Sequence, residues 1–193
     1  MGQWNNWDLE IFKFINSENA NAFLDFLCPI LRFPKTWIPL YISVLILGSI
    51  KYKRNVWLWI IFGILCITLT DQISSQWLKY LFDRPRPCSI SEVTHAILRV
   101  DRCPGNASFP SSHAVNHMGI AVFFLSTLGA QMKKYKYLIL IWPIAISYAQ
   151  VYVGVHYPMD VIGGLVIGLF LGFIPSILFN WLLSKLERYQ SFK

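Results

Sequence analysis

The sequence predicts an all-α fold: an integral membrane helical bundle of about five transmembrane helices, with amphipathic helices at its N-terminus. Two observations carry that prediction. The 193 residues are 55% hydrophobic and only 14% charged, with a mean hydropathy of +0.46, an apolar excess too large for a water-soluble domain. The apolar residues also gather into five runs, at 37–50, 56–81, 113–130, 137–155 and 158–183.

In chain order, residues 1–35 mix Asp8, Glu10, Lys13, Glu18 and Asp25 among apolar positions, which does not fit a signal peptide. Leu9, Ile11, Phe12, Phe14 and Ile15, then Phe23, Leu24, Phe26, Leu27 and Ile30, recur at helical spacing. These residues predict one or two amphipathic helices on the outer membrane surface or against the bundle. The run 37–50 is short, since a crossing takes about 20 residues, but Trp37 suits an interface-anchored start. The run 56–81 is long enough to cross, and an outer loop at 82–112 separates it from 113–130. The last two runs follow, and Pro158 suits the first turn of the final helix, where its missing N–H is not needed. The whole chain, 1–193, reads as one domain.

Charge sets the orientation. The segments "KYKR" (51–54), "QMKKYK" (131–136) and the tail "SKLERYQSFK" hold nine Lys/Arg and one acid, Glu187. The rest of the chain holds eight Lys/Arg and nine acids. The formal charge of +7 is thus concentrated on one side, which the positive-inside tendency places in the cytoplasm. A nucleic-acid partner is not expected, because no basic face is interleaved with aromatics.

Three polar clusters then fall at the opposite, outer membrane face: "KYLFDRPRP" from Lys79, "FPSSHAVN" from Phe109, and "HYPMD" from His156. Asp160 lies in the first turn after Pro158, facing back towards His156, where it can hold one ring nitrogen and leave the other free. Ser111 and Ser112 read as the cap of the next helix, whose N-terminus attracts phosphate. Lys79, Arg84 and Arg86 add the fixed positive charge that a transferring phosphoryl group needs.

Lys-x6-Arg-Pro, Pro-Ser-x-His and His-x3-Asp, in this order, resemble the motifs of the type 2 phosphatidic acid phosphatase (PAP2) superfamily, over roughly 37–183. The resemblance implies a PAP2-like bundle, with His156 a nucleophile that forms a phosphohistidine and Asp160 its orienting partner. It implies His113 as the acid for the leaving group, phosphate binding by Lys79, Arg86 and Ser111, and no metal or other cofactor. Two positions depart from the pattern. Ser112 stands where the family usually has glycine, and its backbone N–H is kept. Ala149 and Gln150 replace the usual Ser-Arg, so Gln150 offers hydrogen bonds without the charge, and Arg84 is the expected compensation.

The function expected is therefore that of a lipid phosphatase in a bacterial inner membrane, with its site facing the periplasm or exterior. Undecaprenyl diphosphate is the first candidate substrate, followed by phosphatidylglycerophosphate, phosphatidic acid and lipid A. A lipid phosphotransferase and a non-catalytic lipid-binding protein are the alternatives, and the oligomeric state is left open. Cys88 and Cys103 flank part of the outer loop and form the natural disulfide pair if that side is oxidising, whereas Cys28 and Cys66 read as packing. Asp71, Ser75 and Lys79 share a helical face and read as a polar stripe inside the bundle. His117 reads as a packed side chain rather than a zinc ligand, and His95 has no role. Asn106-Ala-Ser108 matches a glycosylation acceptor that its place beside the site argues against.

Overall fold

The computed structural model describes residues 6–191. The start of the amphipathic segment, 1–5, and the end of the basic tail, 192–193, lie outside the described residues. Two short helices, α1 (Asn6–Lys13) and α2 (Ala22–Arg32), precede the first apolar run. Asn21 caps α2 through a side chain that accepts from the Leu24 N–H at 3.0 Å. Five crossings follow in the predicted order: α3 (Ile38–Tyr52); α4 (Val56–Asp71), extended by a π-helical stretch (Gln72–Leu78) and α5 (Lys79–Phe82); α7 (Ser112–Met132); α8 (Ile141–Tyr152); and α9 (Pro158–Ser191). The outer loop between α5 and α7 holds one more short helix, α6 (Ser91–Thr94).

Two boundaries differ from the sequence expectation. The fourth crossing does not become α-helical at residue 137; residues Lys133–Leu140 form tighter 3-10 turns and α8 starts at Ile141. Lys133 has a positive φ of 50°, which ends α7 abruptly, and Pro143 falls in the first turn of α8, where it costs no hydrogen bond. The last helix runs to Ser191 rather than 183, carrying Lys185, Glu187 and Arg188 past the apolar run.

α7 and α9 form the central pair, and small residues set their spacing. Gly164, Gly168 and Gly172 lie one turn apart on α9 and face Ser111, Val115 and Gly119. A Cβ on Gly164 would come within 2.8 Å of the Ser111 carbonyl, and one on Gly172 would collide with the Gly119 backbone. The helices therefore touch backbone to backbone, as small-residue stripes permit in membranes. Around them Phe123, Phe179, Trp59 and Tyr52 fill the inner half of the core. The opposite, lipid-facing surface is apolar and open: Ile64, Phe170 and Ile177 are each at least 60% exposed, which only a bilayer would cover.

The two basic turns meet at one end, where Lys51 Nζ and Tyr52 Oη both donate to the Thr127 carbonyl near the end of α7. All three polar motifs lie at the other end. The paired contact between the Ser111 N–H and the Asp160 carbonyl, 3.0 Å, joins the start of α7 to the start of α9 there.

Candidate active site

His156 closes the turn between α8 and α9 and is buried to 2% exposure. Its Nε2 lies 3.0 Å from Arg86 Nη1. A guanidinium can only donate, so Nε2 must be the acceptor and the ring proton must sit on Nδ1. Nδ1 faces Asp160 Oδ2 and Ser108 Oγ, each at 3.5 Å. Burial, helped by the Arg86 charge and opposed by Asp160, pushes the imidazole down to about 4, so it is neutral at physiological pH. This is an uncharged ring with its Nε2 lone pair directed away from the carboxylate.

The Asp160 carboxylate is fully buried and heavily engaged. Oδ2 accepts from Ser108 Oγ at 2.5 Å and from the Tyr157 N–H at 2.8 Å, the second bond closing the first turn of α9 in the manner of a capping box. Oδ1 accepts from Arg84 Nη1 at 2.6 Å, and Arg84 Nη2 donates to Asp8 Oδ2 at the same distance. Asp8 Oδ1 then takes the Met159 N–H at 2.9 Å. Arg84 also lies 4.1 Å over the Tyr157 ring. The structure thus corrects the sequence reading of Arg84 as a phosphate ligand. Its guanidinium, 3% exposed, lies behind Asp160 and is held by two carboxylates.

A cavity of about 260 Å³ opens in front of His156, lined by Arg32, Ser75, Lys79, Arg86, Asn106, Ser112, His113 and Gln150 among others. Lys79 Nζ donates to the Ala107 carbonyl at 2.8 Å. Arg86 is fixed by Asn106, whose carbonyl accepts Nε at 2.8 Å and whose Oδ1 accepts Nη2 at 2.6 Å, and by the Val155 carbonyl at 2.9 Å. Burial lowers Arg86 to about 10, so it stays charged at neutral pH. His113 enters from the first turn of α7. One turn deeper, His117 Nδ1 lies 2.8 Å from the His113 carbonyl and packs edge-on against Trp142.

The two serines separate. Ser112 Oγ lies 2.9 Å from Ser75 Oγ, and Ser75 donates to Asp71, which also accepts from Asn116. Ser111 is fully buried, and its Oγ has no hydrogen-bond partner among the described residues. It contributes its carbonyl to the Val115 N–H instead, and no side-chain bond caps α7. The expected serine cap is therefore not formed: Ser111 Oγ accepts no N–H of the first turn of α7, and Ser112 Oγ meets Ser75.

Four contributors escape sequence reasoning: Asp8, Arg32, Asn106 and Ser108. Asp8 and Arg32 arrive on α1 and α2, where each reads as an ordinary polar residue of an amphipathic helix. Asn106 and Ser108 occupy the glycosylation pattern, and their signal was adjacency to the second motif. Cys88 and Cys103 are bonded, with Cα atoms 5.8 Å apart, and tie the start of the outer loop to the segment that carries Asn106.

Known proteins resemble this chain in sequence and in fold. The curated relatives include the lipid A 4'-phosphatase of Bacteroides thetaiotaomicron, 28% identical over 93% of this chain and 80% of its own length. They also include the undecaprenyl-diphosphatase of Sulfolobus acidocaldarius, 28% identical over 87% and 76%. Among solved structures, LpxE of Aquifex aeolicus superposes with a TM-score of 0.64 at 25% identity, covering 90% of this chain and 96% of that one. A transmembrane PAP2-type phosphatidylglycerolphosphate phosphatase of Bacillus subtilis shares the fold, with a TM-score of 0.60 at 21% identity, 93% of this chain and 86% of that one. The PAP2 superfamily model matches residues 56–184, from the start of α4 to beyond the apolar run of α9, so the chain belongs to that superfamily.

Proposed function

We propose that this protein is a membrane lipid phosphatase that removes phosphate from a lipid phosphomonoester or diphosphate through a phosphohistidine. One observation carries the reading: a neutral, buried imidazole presents Nε2 to a cavity walled by Lys79, Arg86 and a second histidine. The phosphoryl group takes the Nε2 lone pair from Arg86, while its oxygens take the guanidinium and ammonium N–H groups. The N–P bond forms as the P–O bond to the lipid breaks, and His113, entering the step as an imidazolium beside the bound phosphate's negative charge, gives its proton to the leaving oxygen and becomes neutral. Asp160, fixed by Ser108, Tyr157 and Arg84, stabilises the positive charge that the ring then carries. Water attacks the phosphohistidine, giving its proton to His113, and frees phosphate and Nε2. The fixed cations supply the charge stabilisation that phosphoryl transfer requires.

The relatives act, by name, on lipid A, undecaprenyl diphosphate and phosphatidylglycerophosphate. A second cavity of about 820 Å³ adjoins the first through Arg32, Pro104 and Asn106 and is walled by the outer loop, including Arg99 and Arg102. That polar chamber favours a phosphate borne on a large polar headgroup, as in lipid A, over a diphosphate on a bare prenyl chain. The membrane is a bacterial inner membrane, with the cavity open to the periplasm and the basic turns in the cytoplasm.

The test is phosphate release by purified protein from lipid A, undecaprenyl diphosphate, phosphatidylglycerophosphate and phosphatidic acid, with and without EDTA. The reading expects metal-independent release, fastest with lipid A. Absence of turnover on every lipid makes this a binding protein, and phosphate gained by a second lipid makes it a transferase.

A further inference from the structure

Gln150 is fully buried in α8, and its side chain walls the 260 Å³ cavity beside His113 and His156. Its Oε1 accepts from Arg32 Nε at 3.1 Å. Because arginine only donates, that bond fixes the amide: oxygen towards Arg32, NH₂ away from it. The NH₂ nitrogen has no hydrogen-bond partner among the described residues. An unsatisfied buried donor in the wall of a cavity lined by cations marks the place of an acceptor.

Arg32 is the last residue of α2 and borders both cavities. Unlike Arg84, which two carboxylates neutralise, Arg32 has no acidic group within ion-pair distance among the described residues. Asp101 acts on it only through space. A guanidinium anchored at Nε keeps its two terminal nitrogens for another partner, in the planar fork that suits an oxyanion.

We propose that Arg32 and Gln150 form one composite site for a non-bridging oxygen of the substrate phosphoryl group, Arg32 supplying the charge and Gln150 a neutral N–H. The assignment rests on the phosphatase reading for the identity of its substrate, whereas the chemistry it needs is that of any tetrahedral oxyanion. It also replaces Arg84 as the source of the cation that residue 150 lacks. Lys79 and Arg86 then hold the phosphate from one side of the cavity, and a residue of the N-terminal helices holds it from the other.

Orthovanadate is the probe, and its binding to the full chain in detergent is read from the rise in melting temperature, which needs no turnover. Arg32→Ala should weaken orthovanadate about 10- to 100-fold, the equivalent of one charge-assisted contact. Arg32→Lys should retain part of the affinity, and Gln150→Arg placed on Arg32→Ala should recover most of it. Phe26→Ala, on the exposed face of the same helix, should leave it unchanged. Unaltered binding in Arg32→Ala overturns the proposal, as does equal weakening by Phe26→Ala, which would assign the loss to helix docking. A wild-type chain that does not bind orthovanadate overturns it too. A chain that binds orthovanadate through Arg32 but releases phosphate from no lipid defeats the phosphatase reading and leaves this site standing.

Discussion

At the scale of single residues, Asp8, Arg84, Asp160, His156 and Arg86 form one buried line of alternating charge and hydrogen bonding. Removing one member strands its neighbours. Arg84→Ala leaves two carboxylates buried without their cation and should cost about 3–5 kcal/mol of stability, visible as a lowered melting temperature in detergent. Gln150→Arg should not restore it, since that change acts on the cavity side of His156. His156→Ala should abolish turnover, and the intact protein should yield an acid-labile, base-stable phosphoenzyme on rapid quenching; near-normal activity in this variant would exclude the mechanism. Asp160→Asn should lower kcat more than it raises KM. The pH dependence follows from burial of the ring: its pKa of about 4 lies below the usual 6.5, so the neutral nucleophile persists as pH falls through 6.5. The His156 contribution to the acid limb of kcat/KM should therefore show an apparent pKa well below 6.5. The three motifs were legible in the sequence because histidine, arginine and aspartate at fixed spacing are rare in apolar surroundings. The place of Arg84 was not, because its direction depends on Asp8, 76 residues away in the chain.

Among the elements, hydropathy located the apolar runs that hold the five crossings, since each turns an apolar surface to lipid whatever it packs against. It gave no account of what brings the start of α7 against the start of α9. That contact depends on Gly164, Gly168 and Gly172, whose missing side chains leave no hydropathy signal. Gly164→Val should push the Ser111–His113 segment away from Asp160. An overpacking cost of about 1–3 kcal/mol is expected, together with a loss of activity larger than the fall in melting temperature suggests. The π-helical stretch between α4 and α5 also escaped a reading based on regular helical spacing, yet it helps Ser75 and Lys79 line one cavity. The outer loop has its own staple. The loop-entropy argument gives the Cys88–Cys103 bond about 3 kcal/mol for a closure of this length. Because Asn106 follows three residues later and holds Arg86 at two points, Cys88→Ser with Cys103→Ser should raise KM as well as lower the melting temperature. Mass spectrometry of protein purified without reductant should find both thiols bonded.

In the molecule as a whole, charge and apolar surface define the same axis. The basic turns occupy one end, the cavity the other, and a belt of exposed aliphatic and aromatic side chains lies between. The two N-terminal helices complete the outer end. Phe23 and Phe26 of α2 point outward at 68% and 70% exposure, as expected for a helix that rests in the interface, while Arg32 of the same helix turns inward to Gln150. Sequence periodicity showed the outward face of α2 well, because repeated apolar residues make it. Single polar residues make the inward side and carry no period. This arrangement bears on how the protein is made. Asp8 and Arg32 leave the ribosome before their partners Arg84, Gln150 and the Met159 N–H, which follow up to about 150 residues later. During synthesis Asp8 can meet Arg84 once the loop after α5 is made, but Arg32 lacks Gln150 until α8 is made and Asp8 lacks the Met159 N–H until α9 begins. The nascent chain therefore completes its candidate site only as the last crossing emerges, since Gln150, His156 and Asp160 all lie between the last turn of α8 and the first turn of α9.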